Sequence, residues 1–345
     1  MLNKKNIPLY ILSIGIIFVV SSFATRIKST FETNNDEDLI KQYLLNDSPL
    51  YGHNRPKLWI HSKYEVNSRK WKDFHSRNST DLNQDYLHLT IKTIINHCGE
   101  DFNICLIDDE SFEKLLPNWD IKLSHIAEPM KSHMRSLGMA QLIYTYGGMT
   151  VPNSLICMKN LKMFYDDNIK SNKPFVCESI NHTCDITNTQ QSRFIPNIDL
   201  MGANKNDTAM LELVEYLKQI NMDGHFSSEV DFKGAIQYKC NQLINEQKIS
   251  LVGGEKIGIK TNKGKPILLE DLCEEAYLDI HPQAVGLYIP SNEILKRTKY
   301  EWIAVMNIKE LLNTNMIVSK YIKASITETT NEYYSSSTQR SVVSI

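Results

Sequence analysis

The sequence predicts an α/β fold with a mixed, mainly parallel sheet and crossover helices, preceded by one N-terminal transmembrane helix. Between residues 57 and 155, short apolar runs alternate with segments of helical period, in the order strand, helix, strand, helix, strand. This order is typical of parallel sheets whose strands are joined by helices. The transmembrane helix is predicted from residues 7–24, an apolar run without a charged side chain.

The composition is that of a globular protein. The chain has 345 residues, of which 42% are apolar and 23% are charged. This balance excludes a disordered or fibrous protein and provides material for a large core. The net charge of −2 argues against binding nucleic acid through bulk electrostatics, so we expect no nucleic-acid partner.

The N-terminal apolar run is the right length for a membrane span. A helix over residues 7–24 would be about 27 Å long, close to the hydrocarbon thickness of a bilayer. That length favours an uncleaved signal-anchor over residues 1–28, rather than a cleaved signal peptide or a buried helix. The basic residues around the run favour a cytoplasmic N-terminus. We therefore expect a single-pass membrane protein with a lumenal (Golgi- or ER-type) or external body.

The rest of the chain divides into a polar stalk over residues 29–55, a body over residues 56–324 and a disordered tail over residues 325–345. Apolar runs predict strands in the body at 57–61, 102–107, 149–155, 173–177, 197–203 and 249–252. Helical periods predict helices at 68–75, 85–97, 128–146, 159–164, 207–220 and 234–247, with a further short helix ending at 116.

Local signals bound these helices. Gly99 stands just past the helix over 85–97, where a C-cap glycine is common. Pro117 ends the short helix that precedes it, and Asp207 is an N-cap for the helix over 207–220. The helix over 128–146 has the clearest period, because Pro129 opens it and a double glycine follows it.

One segment resembles a known family. Residues 135–161 read RSLGMAQLIYTYGGMTVPNSLICMKNL, a helix that ends in the turn Tyr146-Gly147-Gly148. This segment resembles the centre of the DXD-type sugar-binding glycosyltransferases, the group that includes yeast-type α-1,6-mannosyltransferases and capsular-polysaccharide transferases. With the earlier strands, the resemblance covers about a third of the chain. It implies a GT-A fold, a nucleotide-sugar donor and a glycan or protein acceptor.

The sequence departs from this family at its metal-binding motif. The two aspartates that hold a divalent cation there would fall at Pro152 and Ser154. The DXD pair is therefore degenerate, and because Mg²⁺ and Mn²⁺ prefer carboxylate oxygens, no residue is assigned as a metal ligand. The sequence leaves Mn²⁺ or Mg²⁺ open as a cofactor. Asn153 and Ser154 can offer only neutral hydrogen bonds to a sugar.

The resemblance also implies a donor site at the carboxyl ends of the strands, where open α/β sheets bind ligands. Arg135 is either a counter-charge for the donor diphosphate or part of a salt bridge. Asp109 either contacts the nucleotide or caps the next helix. Asp199 is the candidate catalytic residue. The donor-binding candidates are His61, Asp108, Asp109, Arg135, Gly147, Gly148, Asn153 and Ser154.

Without a metal, other cations must neutralise the leaving diphosphate. The lysines nearest to the double glycine along the chain are Lys131, Lys159 and Lys162. A cluster of His225, Glu229 and Asp231 is expected in a loop, and it does not have the spacing of a metal site.

Two functions remain open from the sequence, besides an anchored α/β protein that is unrelated to this family. The first is a membrane-anchored glycosyltransferase that moves a sugar from a nucleotide-sugar donor to a glycan or protein acceptor. The second is a catalytically inactive protein of the same fold that binds glycans or has a structural role. Carboxylates that converge on the strand after the double glycine would favour the enzyme.

Overall fold

The computed structural model describes residues 55–62, 84–180, 194–223 and 229–327. These residues all belong to one compact unit, residues 47–345. The predicted anchor and stalk, except residue 55, lie outside them, as do the predicted helix over 68–75 and His225. Within the described ranges, no helix has the length and apolar character needed to cross a membrane.

A six-stranded sheet forms the centre of the body, in the order β2-β1-β3-β6-β5-β7. Strand β1 is parallel to β2 and β3, and β5 is parallel to β7. Strand β6 runs antiparallel to both of its neighbours, so the sheet is mixed and mainly parallel, as predicted. Strands β4 and β8 form a separate antiparallel pair. The strands are β1 Lys57–His61, β2 Asn103–Ile107, β3 Gly148–Thr150, β4 Leu155–Cys157, β5 Phe175–Ile180, β6 Phe194–Ala203, β7 Ser250–Val252 and β8 Gly286–Tyr288.

Helices connect and cover these strands. The α-helices are α1 Tyr86–Cys98, α2 Ser111–Leu115, α3 Met130–Tyr146, α4 Lys162–Ile169, α5 Thr208–Met222, α6 Glu229–Asn245, α7 Leu269–Cys273, α8 Ser291–Lys296, α9 Glu301–Ala304, α10 Ile308–Leu312 and a last helix over 317–327. Helix α5 begins where the sequence indicates, because the Asp207 carboxylate accepts the backbone N–H groups of Ala209 (2.9 Å) and Met210 (3.0 Å).

Two apolar clusters form the core. The first packs helices α3, α5 and α6 against the large sheet, with Trp59, Leu142 and Leu213 all fully buried. The second joins α1 and the β4–β8 pair to the C-terminal helices, around side chains such as Leu287 and Ile322. Burial of this much apolar surface is the main stabilising contribution to the fold. It also holds in place the sheet edge at which β1 and β3 end.

The double glycine is required by the path of the chain from α3 into β3. Gly147 has a φ of +72° and Gly148 a φ of +94°, a region that L side chains rarely adopt. A Cβ atom at Gly148 would lie 2.1 Å from the carbonyl oxygen of Lys57. The indole of Trp59 donates to the carbonyl oxygen of Gly147 at 3.0 Å, which ties the turn to β1.

Several predicted elements differ from the structure. The predicted strand over 149–155 is divided, because β3 stays in the large sheet and β4 pairs with β8. The predicted helix over 159–164 is observed as α4, from Lys162 to Ile169. The predicted tail begins inside a helix, because residues 325–327 continue the helix over 317–327 and the buried Ser325 hydroxyl donates to the carbonyl oxygen of Cys157.

Helix α6 begins five residues before its predicted start at Gly234. Glu229 and Asp231, which we expected in a loop, lie in its first turn. Acidic side chains there interact favourably with the positive end of the helix dipole. A Cβ atom at Gly234 would meet no other atom within 4 Å, so the helix runs through this glycine at only a small cost in helix propensity.

Candidate functional site

A cleft of about 430 Å³ opens at the carboxyl ends of β1 and β3. His61 ends β1, and the segment from Thr150 to Ser154 leaves β3, so both strands contribute residues to its wall. The other walls come from the start of α3, from β6, from the start of α6 and from the segment of β8 and α8. This is the edge at which ligands bind in open α/β sheets.

One wall contains a network of charged side chains centred on Arg135. Its guanidinium donates to Asp109 through Nε–Oδ1 and Nη2–Oδ2, both 2.7 Å, and its Nη1 donates to Glu128 Oε1 at 3.0 Å. His61 Nε2 lies 3.0 Å from Asp109 Oδ1. Arg135 is only 8% exposed. The sequence allowed two roles for Arg135, a counter-charge for the diphosphate or part of a salt bridge, and the observed contacts are those of a salt bridge.

The pKa of Asp109 is held well below its usual range. Burial raises it, but the hydrogen bonds and positive charges of Arg135 and His61 outweigh that effect. Asp109 is therefore a paired carboxylate, and it does not cap α2. Glu110 stands at the cap position of α2, and Asp108 bonds to the first residue of that helix: its Oδ1 accepts the backbone N–H (2.9 Å) and the hydroxyl (2.7 Å) of Ser111.

The segment after β3 lines the cleft through Pro152, Asn153 and Ser154. The carbonyl oxygen of Asn153 accepts a hydrogen bond from the Thr90 hydroxyl at 2.5 Å, and Ser154 is 1% exposed. The two glycines do not line the cleft. Among the donor-binding candidates, the structure thus brings His61, Arg135, Asn153 and Ser154 together at the cleft.

Asp199 lies on β6 and faces the same cleft with an exposed side chain. Its Oδ2 accepts a hydrogen bond from the Asn197 amide at 2.7 Å. The Thr150 hydroxyl donates to the carbonyl oxygen of Asp199 at 3.2 Å and accepts the backbone N–H of Met201 at 3.0 Å. This hydroxyl bridges β3 and β6, so it fixes the position of Asp199.

Another wall contains Lys233 and Lys296, which sequence reasoning missed, and Glu229, which it placed in a loop and did not assign to the site. Glu229 accepts Lys233 Nζ on Oε1 (2.8 Å) and Lys296 Nζ on Oε2 (2.7 Å). Burial raises the pKa of Glu229, but these two ammonium groups outweigh it and lower the pKa to about 2. Glu229 and Lys233 are four residues apart on α6, and this spacing could have indicated that they form an ion pair. Lys296 is 67 residues away, and no local signal could have indicated the second pair.

Asp199 also acts electrostatically on its neighbours. Burial lowers the pKa of Lys233, but the charges of Asp199 and Glu229 raise it above its usual value. Burial is the main cause of the raised pKa of Tyr288, and the charge of Asp199 adds to it. Lys233 therefore stays charged and Tyr288 stays neutral at physiological pH.

The lysines predicted to support a diphosphate do not face the cleft. None of Lys131, Lys159 and Lys162 lines it. Lys159 donates to the carbonyl oxygen of Pro282 at 2.7 Å, and Lys162 pairs with Asp166 at 2.6 Å. The cations that line the cleft are instead Arg135, Lys233 and Lys296.

The residues present do not fit a divalent cation. Within the described parts of the chain, no group of three or more His, Cys, Asp or Glu side chains is placed to hold a metal. Each carboxylate that lines the cleft already has a cationic neighbour: Glu128 has Arg135, Glu229 has two lysines, and Asp199 has Lys233. Hard cations need carboxylate or carbonyl oxygens that are free to coordinate them.

Comparison with known proteins gives fold-level similarity only. No family model and no curated protein matches this sequence. Solved structures that are similar to it include glycosyltransferases. The apo form of the glycosyltransferase GlyE from Streptococcus pneumoniae TIGR4 has 11% identity and a TM-score of 0.38, with 82% of this chain and 64% of that chain covered. This chain therefore spans less than two thirds of the length of GlyE.

Two further structures are similar over a shorter part of the chain. The galactosyltransferase LgtC, solved with donor and acceptor sugar analogues, has 11% identity and a TM-score of 0.29 over 58% of this chain and 74% of its own. Mouse xyloside xylosyltransferase 1 has 8% identity and a TM-score of 0.33 over 58% of this chain and 86% of its own. Values this low establish neither a family nor an activity.

Proposed function

We propose that this chain is a membrane-anchored glycosyltransferase that moves a sugar from a nucleotide-sugar donor to a glycan or protein acceptor. The observation that carries this proposal is the polar cleft at the carboxyl ends of β1 and β3, with the Asp199 carboxylate exposed in it. Serine hydroxyls and asparagine amides line the cleft beside apolar side chains, a surface suited to the hydroxyl groups and ring faces of sugars.

Asp199 is the candidate general base of this reaction. As the acceptor hydroxyl attacks the anomeric carbon, its proton passes to the Asp199 carboxylate. The bond between that carbon and the phosphate oxygen breaks, and the nucleoside diphosphate leaves with the bonding electrons. The Thr150 hydroxyl, which holds the main chain at Asp199, is a positioning group for this base.

The anchor belongs to the same proposal. Residues 7–24 hold the protein in a membrane, with a cytoplasmic N-terminus and the body in the lumen or outside the cell. Four N-x-S/T sequons in the sequence support this orientation. Two measurements on the expressed chain test this placement. Resistance to carbonate extraction tests whether the chain is inserted in a membrane, and glycosidase-sensitive modification tests whether the body is in the lumen or outside the cell.

A catalytically inactive glycan-binding protein is the second candidate. The observation that favours it is that Pro152 and Ser154 stand where the resemblance would place the metal-binding aspartates. Such a protein would bind free glycans in the cleft without a nucleotide.

The deciding experiment uses the full chain in detergent, screened by thermal shift and transfer assay against UDP- and GDP-sugars. We expect one donor to stabilise the protein and to be turned over. We expect Asp199→Asn to lower turnover by about 100-fold or more while donor binding persists. Asp120→Asn, an exposed acid outside the cleft, is the matched control. Stabilisation by free glycans, with no response to any donor, would instead support the second candidate.

A further inference from the structure

We propose that Lys233 and Lys296 bind the diphosphate of the donor directly. This inference rests on the proposed function and specifies how its donor is held. The two lysines come from different helices, α6 and α8, and meet at one wall of the cleft. Their common partner, Glu229, keeps the two ammonium groups close together.

The charge balance of this group favours an anion. Two ammonium groups share one carboxylate, so the Glu229 group has a net charge of +1. Each ammonium has three N–H donors, and its bond to Glu229 uses one of them. Charge-assisted bonds from ammonium to phosphate oxygens are short and strong, and a diphosphate is long enough to contact both lysines.

The group is accessible to a ligand from the cleft. The side chain of Lys296 is 62% exposed and that of Lys233 is 53% exposed, so binding an anion removes only part of their hydration. Asp199 offsets part of the charge of Lys233. Lys296 therefore makes the larger net contribution to binding.

Arg135 is less suited to this role, although it lines the same cleft. Its Nε, Nη1 and Nη2 groups already donate to Asp109 and Glu128. Two carboxylates already compensate the charge of Arg135, and its side chain is largely buried, so a phosphate there would meet no excess positive charge and would lose much of its own hydration. The lysine pair can bind the same charge without breaking this network.

The test measures binding of UDP, GDP and inorganic pyrophosphate to the full chain in detergent by calorimetry, once with EDTA and once with Mn²⁺. We expect at least one nucleotide to bind with the same Kd in both conditions, within about twofold. Lys296→Ala should raise that Kd by about 10- to 100-fold, and Lys233→Ala by about 10-fold. Lys296→Arg, which keeps the charge, should recover most of the affinity.

Lys248→Ala is the matched control, because Lys248 also bridges two carboxylates, Glu212 (2.8 Å) and Glu246 (2.9 Å), but lies outside the cleft. It should bind nucleotide like the unmodified chain. Thermal melting shows whether each variant is folded. Strict dependence on Mn²⁺, or lysine variants that are folded and bind normally, would overturn the lysine site and leave the glycosyltransferase intact. Failure of every nucleotide to bind in both conditions would overturn both proposals.

Discussion

Arg135 and Asp109 are joined by two parallel hydrogen bonds, Nε–Oδ1 and Nη2–Oδ2, both 2.7 Å long. The pair connects helix α3 to the loop after β2, and Arg135 lines the cleft. The planar guanidinium matches the two oxygens of a carboxylate, whereas an ammonium offers a single point charge. Removing Arg135 would also leave Asp109 without its main counter-charge in a partly buried place.

We expect Arg135→Met to lower the free energy of unfolding by about 3 kcal/mol, because the Asp109 carboxylate would lose its partner. Arg135→Lys should recover only part of this loss. Urea denaturation of the full chain measures both. Arg297→Met is the matched control, because Arg297 pairs with Glu270 at the surface, where the two side chains are 40% and 35% exposed. It should cost less than about 1 kcal/mol. Equal losses in the two variants would show that burial does not strengthen the Arg135 pair.

The same pair should make stability depend on pH. The pKa of Asp109 lies below its ordinary value of 3.8, so its contribution is complete above that value and is lost as the pH falls toward the folded-state pKa. We expect the difference in unfolding free energy between the unmodified chain and Asp109→Asn to be largest near pH 7 and to narrow progressively as the pH falls below 3.8. A difference that is constant across this range would contradict the assignment.

The double-glycine turn should not tolerate a side chain. In Gly148→Ala, the new Cβ would meet the Lys57 carbonyl oxygen at a φ of +94°, so we expect a loss of at least about 3 kcal/mol. Gly234→Ala is the control, because Gly234 lies in α6 with open space around it. It should stabilise the protein by about 0.5–1 kcal/mol. Thermal melts compare the two, and a tolerated Gly148→Ala would contradict the close contact with β1.

The Thr150 hydroxyl should matter more than its methyl group. Thr150→Val keeps the shape but leaves the backbone N–H of Met201 without its acceptor, so we expect a loss of about 2 kcal/mol. Thr150→Ser keeps the hydroxyl and should cost about 1 kcal/mol through the lost methyl group. Hydrogen exchange at the Met201 amide separates these effects, since it should accelerate in the valine variant alone. Equal acceleration in both variants would argue against the hydrogen bond.

Local sequence patterns were sufficient to predict most of the first half of the sheet. Strand β1 has the predicted bounds, and α3 ends at the double glycine as predicted. Asp207 caps α5 because an N-cap is formed within three residues. These features depend on interactions between residues that are close in the chain, which the sequence displays directly.

Pairings between distant segments could not be predicted from local sequence patterns. Strand β4 leaves the large sheet because β8, about 130 residues later in the chain, offers it a partner. Glu229 was expected in a loop, yet it lies in a helix and holds Lys296, which comes from α8. Asp109 was a candidate cap, but the approach of Arg135 makes it an ion-pair partner.

The sequence by itself determined the α/β alternation and the place of the double-glycine turn. Only the tertiary structure decided which charged groups face the cleft and which are already paired. The physical reason is that helix periods and caps depend on neighbours within one turn, whereas a charge network depends on the distance between segments that the chain brings together only when it folds.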